Sequence, residues 1–373
     1  MKRILIFYIS DFGGHSKAAE NIKEAFRYKE PEAEVLSING FGHFYPYWEK
    51  VVDFLYTLLI KYIPDLWGGL YDRRRVVKFL TPCRRFVNRI TFKKLSRLIN
   101  DFKPTCFVTT QAFPCGLVAD FKQKFGLKIP LVAVVTDYYP HRFWIHPCID
   151  KYVVACKEAK ETLVREGVGE EKIKVLGIPI SVEFLKAYSR QEVCDNLNFA
   201  SKRDSVLIMG GGLGIGPIKK IAQQLDSLDS NFQIVVVCGK NKTLYNWFEK
   251  NKKDFKKPIF CFGYIDFVHK IMDFSDIIIT KAGGITVSEA LAKSLCIIIV
   301  NPIPGQEERN VNYLLYRGAV VKVDNTSLIG EAVKGLMRDR KRMFYLKEKA
   351  RENSFIDSSL RIVDLISGEI ISG

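Results

Sequence analysis

Short apolar runs alternating with amphipathic stretches, repeated along almost the whole chain, constrain this sequence more than any other feature. The runs Ile4–Ile9, Glu34–Ser37, Cys106–Thr109, Leu131–Val135, Tyr152–Ala155 and Ile173–Leu176 predict six strands in the first half. Val206–Met209, Ile234–Val237, Ile259–Phe262, Ile277–Thr280, Ile297–Val300 and Val320–Val323 repeat the scheme in the second. Strands separated by helical patterns predict βαβ units and parallel sheets covered by helices on both faces. A chain of 373 residues with 47% apolar residues fills two such domains of roughly 150 to 200 residues each. The polar, weakly periodic stretch from Ile178 to Arg203 places the boundary. The expected division is an N-terminal domain over 1–180, a C-terminal domain over 204–340, and a charged helical segment over 341–373 that could pack back on the first domain.

In doubly wound sheets ligands bind outside the carboxyl ends of the strands, so the turns that follow the strands carry the chemistry. Ile277-Ile-Ile-Thr-Lys-Ala-Gly-Gly284 runs from a strand through a Gly-Gly turn, Gly283 and Gly284, into a helix with Thr286 and Glu289. The next strand ends in Asn301-Pro-Ile-Pro-Gly-Gln-Glu307, a second turn bearing Gln306 and Glu307. Two such strand ends side by side form a polar crevice suited to hydroxyls and phosphates, which suggests a nucleotide-sugar site. The turn Met209-Gly-Gly-Gly-Leu-Gly-Ile-Gly-Pro217, with Gly211 and Gly212, is a candidate diphosphate cradle, because glycine lets backbone N–H groups approach phosphate oxygens at a helix start. Taken alone it reads equally as a tight turn. Glu289 could accept two hydrogen bonds from a ribose diol, or be an exposed helix acid.

The first domain carries a companion turn, Ser10-Asp-Phe-Gly-Gly-His15, placing Gly14 and His15 at the exit of the first strand and the mouth of the first helix. The positive end of a helix dipole disfavours imidazolium, which suits His15 to general-base work, although a histidine there also serves as a simple cap. Asp137, His141 and His146 follow the fourth strand and open on the same edge. His141 and His146 lack the helical spacing of paired metal ligands, and no bound metal is expected.

The net charge of +16, from 57 basic and 41 acidic residues, favours an anionic partner. Residues 61–103 hold twelve Lys or Arg, among them Arg73, Arg74 and Arg75, against three acids, for a net of +9. They follow Tyr47–Ile63, where Glu49, Asp53, Thr57 and Lys61 form one polar stripe and Trp48 and Phe54 belong to the apolar remainder. An aromatic amphipathic segment beside a basic patch is the pattern of attachment to an anionic membrane surface; a core helix followed by a solvated basic helix is the alternative. With no groove-reading or base-stacking motif, nucleic acid is not expected as a partner. The segment Tyr47–Ile63 is too short and too charged to span a bilayer. The nine scattered cysteines form no C-x-x-C pair and read as reduced core residues of a cytosolic protein. The apolar run in Met1–Ser10 is too brief for a secretory signal and reads as the first strand.

The Gly-Gly-His turn at 13–15, Val135-Thr-Asp137, Trp144-Ile-His146, Asp150-Lys-Tyr-Val-Val-Ala155, Gly177-Ile-Pro-Ile180, Val236-Val-Cys-Gly-Lys-Asn241, Thr280-Lys-Ala-Gly-Gly-Ile-Thr286 and Pro304-Gly-Gln-Glu307 together cover nearly the whole chain. In this order they resemble the monogalactosyldiacylglycerol synthase and processive diacylglycerol glucosyltransferase family of glycosyltransferase family 28, itself similar to the peptidoglycan lipid N-acetylglucosaminyltransferase. The resemblance implies an α/β fold of GT-B type, two doubly wound Rossmann-like domains facing across a cleft. It implies an inverting enzyme, with no bound metal to hold the diphosphate, acting on a UDP-sugar and a lipid. Joined to the basic amphipathic segment, the expectation is a peripheral protein at the cytoplasmic face of the membrane that needs no cofactor, moves glucose or galactose from a UDP-sugar to diacylglycerol, and could add further hexoses to its own product. Carried over by motif, Glu289 would bind the ribose, Gly211, Gly212 and Thr286 would lie near the diphosphate, and Gln306 and Glu307 near the hexose. His15 would lie beside the acceptor hydroxyl, with Asp137 the competing base. Relatives often read Gly-x-Gly-His or Gly-Gly-Gly-His where this chain has Asp-Phe-Gly-Gly-His. Transfer to a polyprenyl-linked acceptor and a non-catalytic sugar-nucleotide or lipid-binding regulator are the alternative readings.

Overall fold

A computed structural model describes residues 1–10, 13–40, 42, 91–197, 199–302 and 305–371. The amphipathic segment Tyr47–Ile63 with Trp48 and Phe54, and the basic residues Arg73, Arg74 and Arg75, lie outside the described residues. The chain divides into two compact units. One comprises Met1–Val182, Pro304–Gln306 and Asp357–Gly373, the other Glu183–Ile303 and Glu307–Ile356. Residues 183–203 and 341–356 thus belong with the second unit, whereas the sequence leaves the former as a boundary and starts a separate segment at 341. The reason is packing: Met343 and Leu346 of the helix Arg340–Glu352 are buried in the second unit's core.

The first unit holds one parallel six-stranded sheet of β1 (Arg3–Tyr8), β2 (Glu34–Asn39), β3 (Cys106–Thr109), β4 (Leu131–Val134), β5 (Lys151–Val154) and β6 (Ile173–Val175). Their spatial order is β2-β1-β3-β4-β5-β6. The helices Gly14–Lys29, Ala112–Phe125 and Lys157–Arg165 make crossovers, which parallel neighbours require. All four residues of β3 and of β4 are buried, as expected of strands covered on both faces. The chain's last turns join this core. Ile362, Val363, Leu365 and Ile366 pack with Ile4, Ile6, Ile22, Phe26 and Val108.

The second unit is built the same way from β7 (Asp204–Met209), β8 (Phe232–Val237), β9 (Ile259–Phe262), β10 (Ile277–Thr280), β11 (Cys296–Val300) and β12 (Val320–Val323). Their order is β12-β11-β10-β7-β8-β9, again all parallel. The helix Ile218–Asp226 buries Ile218, Ile221, Ala222 and Leu225, the spacing of one helical face, against β7 and β8. Among the described residues no helix is long and apolar enough to cross a membrane.

In both sheets the strand order reverses once. In the first, β1 has β2 on one side and β3 on the other; in the second, β7 has β8 on one side and β10 on the other. Helices on opposite faces diverge from such a reversal, leaving a crevice at the carboxyl ends of the two central strands.

Candidate functional site

The reversal in the second unit is occupied by the glycine turns. After Met209 the chain makes a tight loop, closed by hydrogen bonds from Gly214 N to Gly211 O (3.0 Å) and from Ile215 N to Gly210 O (3.0 Å). The loop is stacked on the exit of β8, where Lys240 N donates to Gly212 O (2.9 Å) and the Asn241 side chain donates to Gly214 O (3.2 Å). This closeness needs glycine. A Cβ on Gly214, whose φ is +60°, would stand 2.0 Å from the Cys238 carbonyl oxygen, and one on Gly239, φ +57°, 2.4 Å from the Gly212 oxygen. Gly212 is different: it is exposed, and a Cβ there would meet nothing within 4 Å.

Facing this loop is the exit of β10. A Cβ placed on Gly211 would lie 3.6 Å from Lys281 Cε and 4.0 Å from Thr286 Oγ1, and one on Gly283 would lie 3.8 Å from Lys281 Cε. The two glycine turns therefore bracket Lys281. Gly283 is the N-cap of the helix Gly284–Ala292 and makes no side-chain cap hydrogen bond; the first N–H groups of a helix have no partner within it. Thr286 and Glu289 of that helix are both buried, at 7% and 3% exposure, so Glu289 is not an exposed helix acid. From the exit of β11, Gln306 opens the helix Gln306–Tyr316. Glu307 holds the Lys281 ammonium at 2.6 Å, and the buried Asn310 donates to Ala282 O at 3.1 Å. Met209, Gly210, Ile215, Thr280, Lys281 and Asn301 line the concavity where these turns meet.

The reversal in the first unit holds His15, the second residue of the helix Gly14–Lys29. Its Nδ1 lies 2.9 Å from Thr110 O, at the exit of β3, and 2.8 Å from Thr136 Oγ1, beyond the end of β4. Thr110 Oγ1 in turn donates to His15 O at 2.8 Å. A carbonyl can only accept, so Nδ1 carries the proton and Nε2 holds the lone pair. Burial pushes the His15 pKa down, against the upward pull of the Asp137 carboxylate and of the Thr110 carbonyl. A neutral imidazole with a basic Nε2 follows near pH 7. Asp137 is itself 5% exposed and near enough for its charge to act on His15. Gly14 is the exposed first residue of the helix. His146 has a different setting. Its Nε2 lies 3.1 Å from Asp120 Oδ1 and its Nδ1 accepts from Cys148 N, so both ring nitrogens are engaged in holding the chain around 146–148.

Both units thus carry turns with polar and titratable side chains at the points where doubly wound sheets bind ligands. Family comparison matches residues 15–180 to monogalactosyldiacylglycerol (MGDG) synthase and residues 205–363 to the glycosyltransferase family 28 C-terminal domain. A processive diacylglycerol beta-glucosyltransferase of Bacillus cereus (strain B4264) is 30% identical over 374 residues, spanning 98% of this chain and 94% of the relative. The chain belongs to the diacylglycerol glycosyltransferase family. Another relative of the same name, from Bacillus licheniformis, is 32% identical over 283 residues, covering 75% of this chain and 73% of its own. Among solved structures, MurG of Acinetobacter baumannii has a TM-score of 0.64 at 14% identity, covering 98% of this chain and 99% of its own. Anabaena Alr3699/HepE in complex with UDP-glucose has a TM-score of 0.58 at 10% identity, covering 98% of this chain and 100% of its own. At such identities the structures establish the fold, which this diacylglycerol glycosyltransferase family member shares.

Three residues were not singled out from the sequence: Thr110, Thr136 and Lys281. Each stands immediately beyond, or within two residues of, a strand's carboxyl end. That position was the signal available for them.

Proposed function

We propose that this protein transfers glucose or galactose from a UDP-sugar to diacylglycerol with inversion at the anomeric carbon, making a glycolipid to which further hexoses can be added. The observation that carries the reading is the likeness to a processive diacylglycerol beta-glucosyltransferase along 98% of the chain. The residues support it. The donor is taken by Glu289 on the ribose, Gly211, Gly212, Gly283, Gly284 and Thr286 around the diphosphate, and Gln306 and Glu307 toward the hexose. The first unit takes the acceptor beside Gly14 and His15.

In the reaction the diacylglycerol oxygen attacks the anomeric carbon and its proton passes to His15 Nε2. The bond from that carbon to the β-phosphate oxygen breaks on the opposite side, and its electron pair leaves with UDP. A well-placed base accelerates such a step by about 10²- to 10⁴-fold. Backbone N–H groups at the glycine turns and the open helix start meet the charge that develops on the departing diphosphate. Asp137 keeps the imidazolium favourable once the proton has arrived. The enzyme works as a peripheral protein on the cytoplasmic face of an anionic membrane, a reading supported by the basic excess of residues 61–103. It has no nucleic-acid partner.

The test is to incubate the purified protein with diacylglycerol in anionic vesicles and radiolabelled UDP-glucose or UDP-galactose, and to separate the lipids by thin-layer chromatography. Labelled glycolipid from wild type, with none from His15→Ala that still binds UDP, is the expected result. Turnover retained in His15→Ala would remove His15 as the base. Absence of labelled lipid from wild type with both donors would overturn the transfer reading.

A further inference from the structure

We propose that Lys281 is the cation that receives the donor's diphosphate, and that Glu307 is the counter-charge that holds it ready between the two glycine turns. This rests on the donor reading of the second unit and assigns it a residue that backbone N–H groups cannot replace.

The argument starts from position. Lys281 directly follows β10, one of the two central strands at the reversal in sheet order, and its side chain passes between the loop after β7 and the Gly-Gly turn. Its Cε is the atom that a side chain on either Gly211 or Gly283 would meet, at 3.6 and 3.8 Å. Glycine on both sides keeps the walls around the ammonium stem low. Thr286 closes the third side, with its Oγ1 within 4.0 Å of the same Gly211 position.

Charge gives the second step. A departing UDP gains negative charge on its β-phosphate oxygen as the carbon–oxygen bond breaks, and a fixed cation there stabilises the transition state more than the ground state. N–H dipoles alone carry partial charges, whereas Lys281 carries a full one. Its side chain is 25% exposed and that of Glu307 is 9% exposed. The pair is therefore open to a ligand on the lysine side and closed on the glutamate side. A lysine needed only to pin the helix Gln306–Tyr316 to β10 would be duplicating what the buried Asn310 already does through Ala282 O.

Glu307 then has two effects on the donor. It fixes the ammonium in the crevice, and it competes with the diphosphate for that ammonium. Removing its charge should therefore tighten UDP while loosening the geometry that turnover needs.

The experiment compares UDP with uridine as ligands of wild type, Lys281→Met, Lys281→Arg and Glu307→Gln, by calorimetry or by displacement of labelled UDP-hexose, with thermal melts alongside. Lys281→Met should weaken UDP by about tenfold or more, the scale of one charge-assisted contact, and leave uridine within about twofold. Lys281→Arg should restore most of the UDP affinity. Glu307→Gln should bind UDP as tightly as wild type or a few-fold more tightly and turn over more slowly.

Lys281→Met that binds UDP like wild type would overturn the proposal, as would equal loss of UDP and uridine in a variant that melts like wild type. A variant that fails to fold shifts the decision to Lys281→Arg and Glu307→Gln. UDP weakened in Glu307→Gln as much as uridine would then make the pair a structural clamp. Wild type that binds neither UDP nor uridine sinks the donor reading, and this assignment with it.

Discussion

His15 Nδ1 stands 2.9 Å from the carbonyl oxygen of Thr110, a contact that fixes which nitrogen of the ring is basic. The backbone of one strand's exit thus sets the protonation chemistry of a side chain presented by another. Because burial lowers the His15 pKa from its ordinary 6.5, the neutral, proton-accepting form persists into more acidic solution than for a free histidine. The sign is definite. As pH falls, a base with a depressed pKa is lost later, so the acid limb of kcat/KM against pH should have its midpoint below 6.5. A limb above 6.5 would mean that the Asp137 charge outweighs burial in solution.

Thr136 Oγ1 lies 2.8 Å from the same Nδ1 and is 5% exposed. Thr136→Val keeps the shape and removes the hydroxyl, leaving the Thr110 carbonyl to hold the ring alone. One neutral hydrogen bond of ~0.5–1.5 kcal/mol corresponds to a two- to twelvefold loss of kcat. UDP affinity should be untouched, because the contact lies in the first unit. Steady-state kinetics paired with UDP titration checks both halves. A loss in UDP binding matching the loss in kcat would count against a role confined to His15.

Gly212 and Gly239 separate what folding demands from what a ligand demands. Gly239→Ala collides with backbone and adopts an unfavourable φ, so it should lower Tm as well as UDP affinity. Gly212→Ala collides with nothing in the protein. If a diphosphate approaches that backbone, Gly212→Ala should melt like wild type and yet bind UDP about tenfold or more weakly. Unchanged UDP affinity would place the diphosphate elsewhere.

The sheets were legible in the sequence because both of their faces are covered. Strands such as Leu131–Val134 and Cys296–Val300 are buried at every residue, so they appear as unbroken apolar runs, and all twelve predicted strands lie within two residues of the observed ones. Gly283 and His15 were legible for a related reason, since each sits where an apolar run gives way to a helix. What could not be read was strand order. That Thr110 and Thr136 reach His15 depends on β3 lying beside β1 and β4 beside β3. That Lys281 meets the Gly211 loop depends on β10 lying beside β7, some seventy residues away in the chain. The place of the helix Arg340–Glu352 is hard to read from the sequence for the opposite reason. Its charged sequence hides the narrow apolar face of Met343, Leu346 and Ala350 that joins it to the second unit.

The thiols divide by burial. Cys115 and Cys296 are fully enclosed, and burial raises their pKa to about 12, so no reactive thiolate forms at neutral pH. Cys148 is partly exposed and free. Brief maleimide treatment of the native protein, followed by peptide mass analysis, should label Cys148 and leave Cys115 and Cys296 unmodified until denaturant is added. Native labelling of Cys296 would show that β11 opens locally.

The tail of the chain completes the first unit. Ile362, Val363 and Ile366 are 0% exposed and Leu365 is 4% exposed, all in the core with Ile22 and Phe26 of the helix that carries His15. Ser358 Oγ donates to Ile178 O at 2.8 Å and accepts from Ile180 N at 3.3 Å, and Asn21 donates to Pro179 O at 2.9 Å from the same helix. Truncation after Ile356 removes four buried aliphatic side chains, each contributing roughly 1.5–3 kcal/mol, and leaves the Ile178 and Ile180 backbone groups without these partners. That sum rivals the whole stability of an ordinary domain, roughly 5–15 kcal/mol. The second unit keeps every residue of its own core. The truncated protein should therefore lose acceptor-dependent turnover and show proteolysis within residues 1–182, while still binding UDP. Loss of UDP binding together with turnover would instead mean that the second unit cannot fold without an intact first unit.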